Sequence, residues 1–277
     1  MTDIKSMKLY THVDRVYNEL AELGKSATAP LAVDELCAFD QLHYHGTDAL
    51  DLALQTIGLP AGSNWLEIGS GIGGPARYLA AHGGVAVTAL ELQPDQHELA
   101  GHLTARCGLD GLVMHRCGDF LAQEWGENEF DAIVSWLALY HIPERPRLLE
   151  QCRNLLRAGG CFYTEDLCSI GEIDAAQRAE LERDLFAITL PDAASYRRDL
   201  ERAGFEIELC EDMTADWADF TARRLQAFRA GRERHLRVHG EAIVDALEDF
   251  YAAVDRQFQS GKLGGIRVCA KRRPGPL

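Results

Sequence analysis

The chain has 277 residues, 47% apolar and 26% charged, enough to bury one large domain or a domain with a modest cap. No apolar run reaches the roughly 20 residues that span a bilayer, and Met1 to Lys8 lacks a signal-peptide core, so a cytoplasmic protein without a membrane partner is expected. A formal net charge of −15 argues against nucleic acid as a partner, because phosphates are held by lysine and arginine.

Residues 1 to about 58 read as mostly helical, with Tyr10, Val13, Val16, Tyr17 and Leu20 forming one apolar stripe. Residues 64–68 predict the first strand, followed by a glycine-rich turn and a helix over 75–81. A second strand is predicted over 85–91, and Pro94 opens the next helix in its first turn, where a missing N–H costs least. Strands three and four are predicted over 112–115 and 130–135. A helix opening at Pro143-Glu144 and stopping at Gly159-Gly160 leads to a fifth strand over 161–166. Helices over 173–188 and 195–203 come next, then a strand over 205–210. An amphipathic helical excursion over 214–262 separates it from a last strand over 265–271. This alternation predicts an α/β fold, Rossmann-like, with a mainly parallel sheet and a final antiparallel strand. The extra helices would form a cap over the carboxyl edge of the sheet, where open α/β sheets bind ligands.

Against the acidic background, Arg223, Arg224, Arg229, Arg232, Arg234 and Arg237 cluster. A solvated helix face is the plain reading and an anion-reading patch the alternative. Eight cysteines include no C-x-x-C pair and sit mostly in apolar stretches, as reduced core residues do. His43-x-His45 and the one-face pair His235 and His239 lack a third ligand in reach, so no metal is expected.

The chemistry concentrates in Glu67-Ile-Gly69-Ser-Gly71-Ile-Gly73-Gly74, between the first strand and its helix. Glycines there let the backbone turn sharply beside a ligand. By itself the spacing also fits the G-x-G-x-x-G of dinucleotide enzymes, and Glu91 at the end of the second strand suits a ribose in either case. Three features separate the two. Glu67 directs a carboxylate toward the place of a methionine ammonium, Asp119 and Phe120 suit an adenine edge and face, and the strand–excursion–strand ending departs from a six-stranded parallel sheet.

With these motifs the chain resembles the class I S-adenosylmethionine-dependent methyltransferases, over about residues 40–271. The resemblance is carried by Leu66 to Tyr78, Ala89-Leu-Glu91, Gly118-Asp119-Phe120, Phe130 to Ser135 and Leu155 to Gly160. Asp40-Gln41-Leu-His43-Tyr-His45-Gly46 and Gly-Gly-Pro-Ala-Arg-Tyr-Leu make it similar to the small-molecule branch. That branch holds sarcosine/dimethylglycine, phosphoethanolamine, tocopherol and natural-product sugar methyltransferases. The resemblance implies a seven-stranded sheet, S-adenosyl-L-methionine as donor and S-adenosyl-L-homocysteine as product. Residues 1–58 would cover the donor, 59–271 would be the methyltransferase domain with inserts near 169–194 and 214–262, and 272–277 a tail. It also implies that Gln41, Glu67, Gly69, Ser70 and Gly71 line the methionine and ribose, and that Glu91 holds the ribose with support from Gln96. Asp119 and Phe120 would hold the adenine, and Ser135 and Trp136 would bracket the sulfonium.

Methyl transfer is a direct displacement, so the protein must align an acceptor and exclude water, with a base where a proton must leave. His141, after the fourth strand, is the candidate base, and Asp166 at the end of the fifth is placed to orient it. Tyr44, Tyr140, Tyr196 and Trp217 are candidates to hold a methylated ammonium by their ring faces. The expectation is methyl transfer to a small-molecule acceptor, with an amine or amino acid favoured and O-methylation of a natural product using His141 as the alternative. A nicotinamide oxidoreductase and a non-catalytic donor-binding protein remain open at this point, as does the choice between monomer and homodimer.

Overall fold

A computed structural model describes residues 12–273. Tyr10 and the segment Met1 to Lys8 therefore lie outside the described residues. Three helices lead the chain: α1 (Arg15–Glu22), α2 (Val33–Asp40) and α3 (Thr47–Ile57). The α/β alternation then runs β1 (Asn64–Ile68), α4 (Gly74–Gly83), β2 (Ala86–Glu91), α5 (Pro94–Arg106), β3 (Val113–Cys117) and β4 (Phe130–Trp136). A short 3-10 turn, Leu139–His141, precedes α6 (Arg145–Leu155), β5 (Leu156–Ser169), α7 (Ala175–Leu185), α8 (Ala193–Arg202) and β6 (Phe205–Asp212). Helices α9 (Thr214–Ala230), α10 (Arg232–His239) and α11 (Glu241–Gln259) lead into β7 (Leu263–Arg272).

The seven strands form one sheet in the order β3-β2-β1-β4-β5-β7-β6. Strands β1 to β5 pair in parallel, and β7 runs antiparallel to both its neighbours, β5 and β6. Four of the five residues of the central β1 are buried, as expected where helices cover both faces of a parallel sheet. One core, around Leu66, Ile133, Phe162 and Phe205, packs α6 and α8 on one face; a second, around Trp65, Leu79, Val87 and Tyr163, packs α3 and α4 on the other.

Several boundaries differ from the sequence reading. Helix α6 starts at Arg145, with Pro146 in its first turn, and stops at Leu155. Strand β5 then runs through Gly159-Gly160. The register shifts between Phe130 and Ala132, so the glycine pair marks a bulge in a strand and not the end of a helix. Helix α7 is shorter than 173–188 because Asp174 caps it, accepting from the Gln177 amide while the Gln177 side chain returns to the Asp174 N–H. The excursion over 214–262 is three helices, broken at Gly231 and Gly240. Among the described residues no helix is long and apolar enough to cross a membrane.

Candidate functional site

The carboxyl ends of β1, β2 and β4 frame a cleft of about 180 Å³. At its floor the chain leaves β1 through Gly69, whose φ of +77° and position 2.3 Å from the Ala138 side chain (measured to an added Cβ) admit no other residue. Glu67, Ser70, Gly71, Glu91, Gln96, Asp119, Phe120, Trp136 and His141 all line this cleft, which gathers residues far apart in sequence.

The polar groups here are buried and only partly used. Burial pushes the Glu67 carboxyl up to about 8, against the pull of Arg77 and with a push from Glu91. Glu67 Oε2, Ser70 Oγ, Gln96 Oε1 and Trp136 Nε1 have no protein partner. Glu91 accepts from the Gly71 amide (2.8 Å) and the Gln93 amide (2.8 Å), one bond on each carboxylate oxygen. The Leu92 amide also bonds to this carboxylate, and its remaining acceptor capacity is left for a ligand hydroxyl. Asp119 Oδ1 accepts from the Leu121 amide at 2.9 Å, which fixes the carboxylate at the rim. Such an arrangement fits a ligand with an ammonium, a diol and an aromatic base.

A second cavity, of about 590 Å³, shares Leu42 and His43 with the cleft. It lies beneath α1, α9, α10 and α11, and its wall includes Phe220, Arg224, Phe228, Phe250 and Tyr251. His43 is pinned at the junction: its Nε2–H donates to the Gly46 carbonyl at 3.0 Å, and its ring lies 5.7 Å from that of Trp136. Burial lowers its pKa to about 4, so the ring is neutral at pH 7.

His141 also faces the cleft, but its partner is not Asp166. Its Nδ1 lies 2.8 Å from the Phe186 carbonyl. A carbonyl only accepts, so Nδ1 carries the hydrogen and Nε2 keeps a lone pair. Asp166 instead accepts from the Tyr196 hydroxyl (3.1 Å) and the Tyr140 amide (3.3 Å), and burial raises its pKa to about 6. The expected His–Asp pairing is corrected: a backbone carbonyl on the loop after α7 takes the orienting role.

Other expected site residues also move. Ser135 Oγ donates to the Ile68 carbonyl at 2.8 Å, tying β4 to β1 and turning away from the cleft. Gln41 lines the second cavity and donates to Asp40 at 2.9 Å. Tyr44, Tyr140, Tyr196 and Trp217 line neither cavity. Tyr196 is fully buried under the Arg145 guanidinium, 3.7 Å above its ring, and Tyr140 packs on the His141 ring at 4.0 Å. Trp217 lies flat on Gly265, where an added Cβ would come within 2.1 Å of the indole, and Tyr44 meets it edge-on at 5.0 Å. These rings are core and backing. The aromatic lining comes instead from α9 and α11, and its trace in the sequence is Phe220, Arg224 and Phe228, four residues apart on one helix face. One histidine of each pair is tied to a carboxylate: His45 meets Asp216 at 2.6 Å, and His239 meets Glu19 at 2.8 Å.

Residues 41–209 match the methyltransferase domain family, and the chain belongs to it. S-adenosylmethionine is the methyl donor of this family. The chain is 30% identical over 171 residues to the sterol 24-C-methyltransferase of Yarrowia lipolytica, a match covering 59% of the chain and 44% of that protein. It thus spans less than half of that relative's length. It is 26% identical over 208 residues to the sarcosine/dimethylglycine N-methyltransferase of Aphanothece halophytica, covering 74% and 73%. The fold is similar to that of phosphoethanolamine N-methyltransferase 2 of Haemonchus contortus, solved with phosphomonomethylethanolamine and S-adenosylhomocysteine. That likeness has a TM-score of 0.80 at 18% identity and covers 99% of this chain and 61% of the other. The antiparallel β7 between β5 and β6 departs from the six-stranded parallel order of dinucleotide enzymes, so the nicotinamide reading is set aside.

Proposed function

We propose that the protein transfers a methyl group from S-adenosylmethionine to a small-molecule acceptor, with nitrogen as the accepting atom. The observation that carries this is the meeting of two unlike cavities at Leu42 and His43: an acidic cleft at the strand ends and a larger aromatic chamber under the helical roof. When bound, the donor supplies a methyl already activated on a sulfonium. Glu67 holds the ammonium of its methionine, with Gly69, Ser70 and Gly71 along the methionine and ribose. Glu91 takes the ribose hydroxyls with Gln96 beside it, Asp119 and Phe120 hold the adenine, and Trp136 borders the sulfonium end.

The residues of the roof position the acceptor and keep water out, which supplies most of what a displacement needs. His43 and His141 are neutral at pH 7 and each presents one unprotonated ring nitrogen, His43 through Nδ1 and His141 through Nε2. His141 is the proposed proton acceptor for an amine that arrives as an ammonium. The nitrogen reading rests on the aromatic chamber and on the sarcosine/dimethylglycine relative. A second reading, methylation of a hydroxyl, rests on the same neutral His141, since a hydroxyl needs a base more than a free amine does.

Calorimetry with S-adenosylhomocysteine, followed by transfer of labelled methyl to amines, hydroxyls and thiols, tests the reading. Heat of binding with turnover on amines supports it; turnover confined to hydroxyls selects the second reading. Binding with no turnover on any acceptor leaves a donor-binding protein without catalysis, and no heat at all removes the donor site.

A further inference from the structure

The arginine cluster over 223–237 resolves into paired residues and one exception. Arg223 meets Asp219, Arg229 meets Glu248, Arg232 meets Asp245 and Glu248, Arg234 meets Glu19, and Arg237 meets Glu22. Among the described residues Arg224 has no carboxylate partner, and it is the member of the series on the face of α9 that lines the second cavity between Phe220 and Phe228.

Its surroundings hold the guanidinium without neutralising it. The group sits 4.6 Å from the centre of the Tyr251 ring, 5.1 Å from Tyr44 and 5.5 Å from Phe220. Ring faces attract a cation without using its in-plane N–H donors, and the Nε–H with its neighbouring Nη–H matches the two oxygens of a carboxylate or phosphate. Arg224 Nε is buried without a partner. The Tyr44 hydroxyl accepts a hydrogen bond from Arg224, but burial pushes its pKa up, so this partner is neutral and leaves the guanidinium's charge unmatched.

The chamber as a whole is positive in an acidic protein. Among the described residues its wall carries Arg15, Arg224 and Arg234 against Glu19 alone, while the chain has a net charge of −15. Glu19 is already spent on both guanidinium nitrogens of Arg234 (3.1 and 2.6 Å) and on His239. Two guanidiniums from separate elements, Arg15 of α1 and Arg224 of α9, are left lining one cavity.

We propose that the methyl acceptor carries an oxyanion, a carboxylate or a phosphate, which Arg224 holds by its N–H donors with Arg15 of α1 adding charge to the same chamber. This rests on the methyltransferase reading and names the acceptor class within it. The acidic surface repels anions in general, so the chamber is where such a molecule finds net attraction. Fixing its anionic end at α9 leaves the other end, which bears the nucleophile, to reach toward His43 and the cleft.

The test uses the full chain and matched probes with labelled donor. They are glycine, sarcosine and amino- and hydroxybenzoates against their methyl esters, and phosphoethanolamine against ethanolamine. Binding is followed by thermal shift of the S-adenosylhomocysteine complex. The wild type turns over or binds acids or phosphates at least about 30-fold better than their neutral partners, as for loss of a charged hydrogen bond. The carboxylate and phosphate arms show which oxyanion is read. Arg224→Gln raises KM or Kd for the preferred anion by about 30- to 100-fold and leaves S-adenosylhomocysteine affinity within about twofold; Arg224→Lys recovers part of the loss. Arg223→Gln, on the outer face, changes neither. Equal use of esters and acids, or an unchanged KM in Arg224→Gln, overturns the proposal. So does a donor-competent protein that neither methylates nor binds any anionic probe, and the donor reading survives that result. Loss of S-adenosylhomocysteine binding in the wild type sinks the donor reading instead, and the anion shift measured on the ligand-free protein then decides this one.

Discussion

Arg77 and Asp40 form a salt bridge of 2.9 Å in which both side chains are wholly buried, joining the last residue of α2 to the helix that follows the glycine turn. Arg77 also reaches the Ala100 carbonyl and the Thr104 hydroxyl, both at 3.3 Å. A buried pair adds little net stability, but removing one partner strands the other charge. Asp40→Asn or Arg77→Met should cost about 3–5 kcal/mol in urea unfolding. The double replacement Asp40→Leu with Arg77→Met should be milder than either. Single variants within about 1 kcal/mol of wild type would refute this account of how the N-terminal helices are held.

With Glu67 as the proposed holder of the donor's ammonium, donor binding should depend on pH with a definite sign. Its raised pKa, about 8, leaves it largely protonated in the free protein at neutral pH, and an ammonium beside it favours the ionised form. Donor affinity should therefore rise from pH 6 to pH 8 with release of a proton, visible as a buffer-dependent heat, and Glu67→Gln should flatten the slope. The same shift makes the ligand-free fold lose stability as pH rises between the ordinary value of 4.5 and about 8, since the folded form binds the extra proton there. A wild-type slope of opposite sign would exclude the assignment.

His141 and Asp166 are expected to behave differently despite their neighbouring strands. His141→Ala should lower kcat by about 100-fold or more with S-adenosylhomocysteine affinity little changed. Because its pKa is held down near 4 by burial, turnover should carry no histidine step between pH 6 and 8. Asp166→Ala should instead cost about 1–3 kcal/mol of stability by orphaning the Tyr196 hydroxyl, and leave the pH profile of turnover in place. A profile shifted by Asp166→Ala would restore the His–Asp pairing that the structure does not contain.

Glu19 ties α1 to α10 through Arg234 and His239 over the chamber. Burial pushes its carboxyl up, yet the hydrogen bonds from Arg234 and His239 bring it below its ordinary 4.5. The contribution of this contact is therefore present above pH 4.5 and fades as pH falls through the lower folded value. Glu19→Gln should increase amide exchange in residues 15–22 at pH 7, and wild type should approach that behaviour only in stronger acid. Equal exchange in both proteins at pH 7 would show that the tie does not hold the helix.

The strand-end cleft was largely legible in sequence because its residues cluster there: Glu67 lies one residue before the end of β1, Glu91 and Trp136 close β2 and β4, and Asp119 follows β3. The exceptions follow from partners that side-chain chemistry does not reveal. Ser135 turns to a backbone carbonyl within the sheet, and His141 takes its orientation from the Phe186 carbonyl, a group every residue carries. The aromatic chamber was least legible. Tyr140, Tyr196 and Trp217 sit beside the opening in sequence but serve as core, because aromatic residues next to a site and aromatic residues facing it share one composition. Only the folding of 214–262 into three helices decides that Phe220 and Arg224 look inward.

The position of β7 has a consequence for how the molecule is made. Strand β6 reaches the sheet solely through β7, and the outer edge of β5 is also β7's to cover. During synthesis both edges therefore stay open while α9, α10 and α11 emerge, a long-range closure of the kind that slows folding and invites mispairing between nascent chains. Removing residues after Lys262 should thus yield insoluble protein, even though every residue lining the strand-end cleft has already been translated.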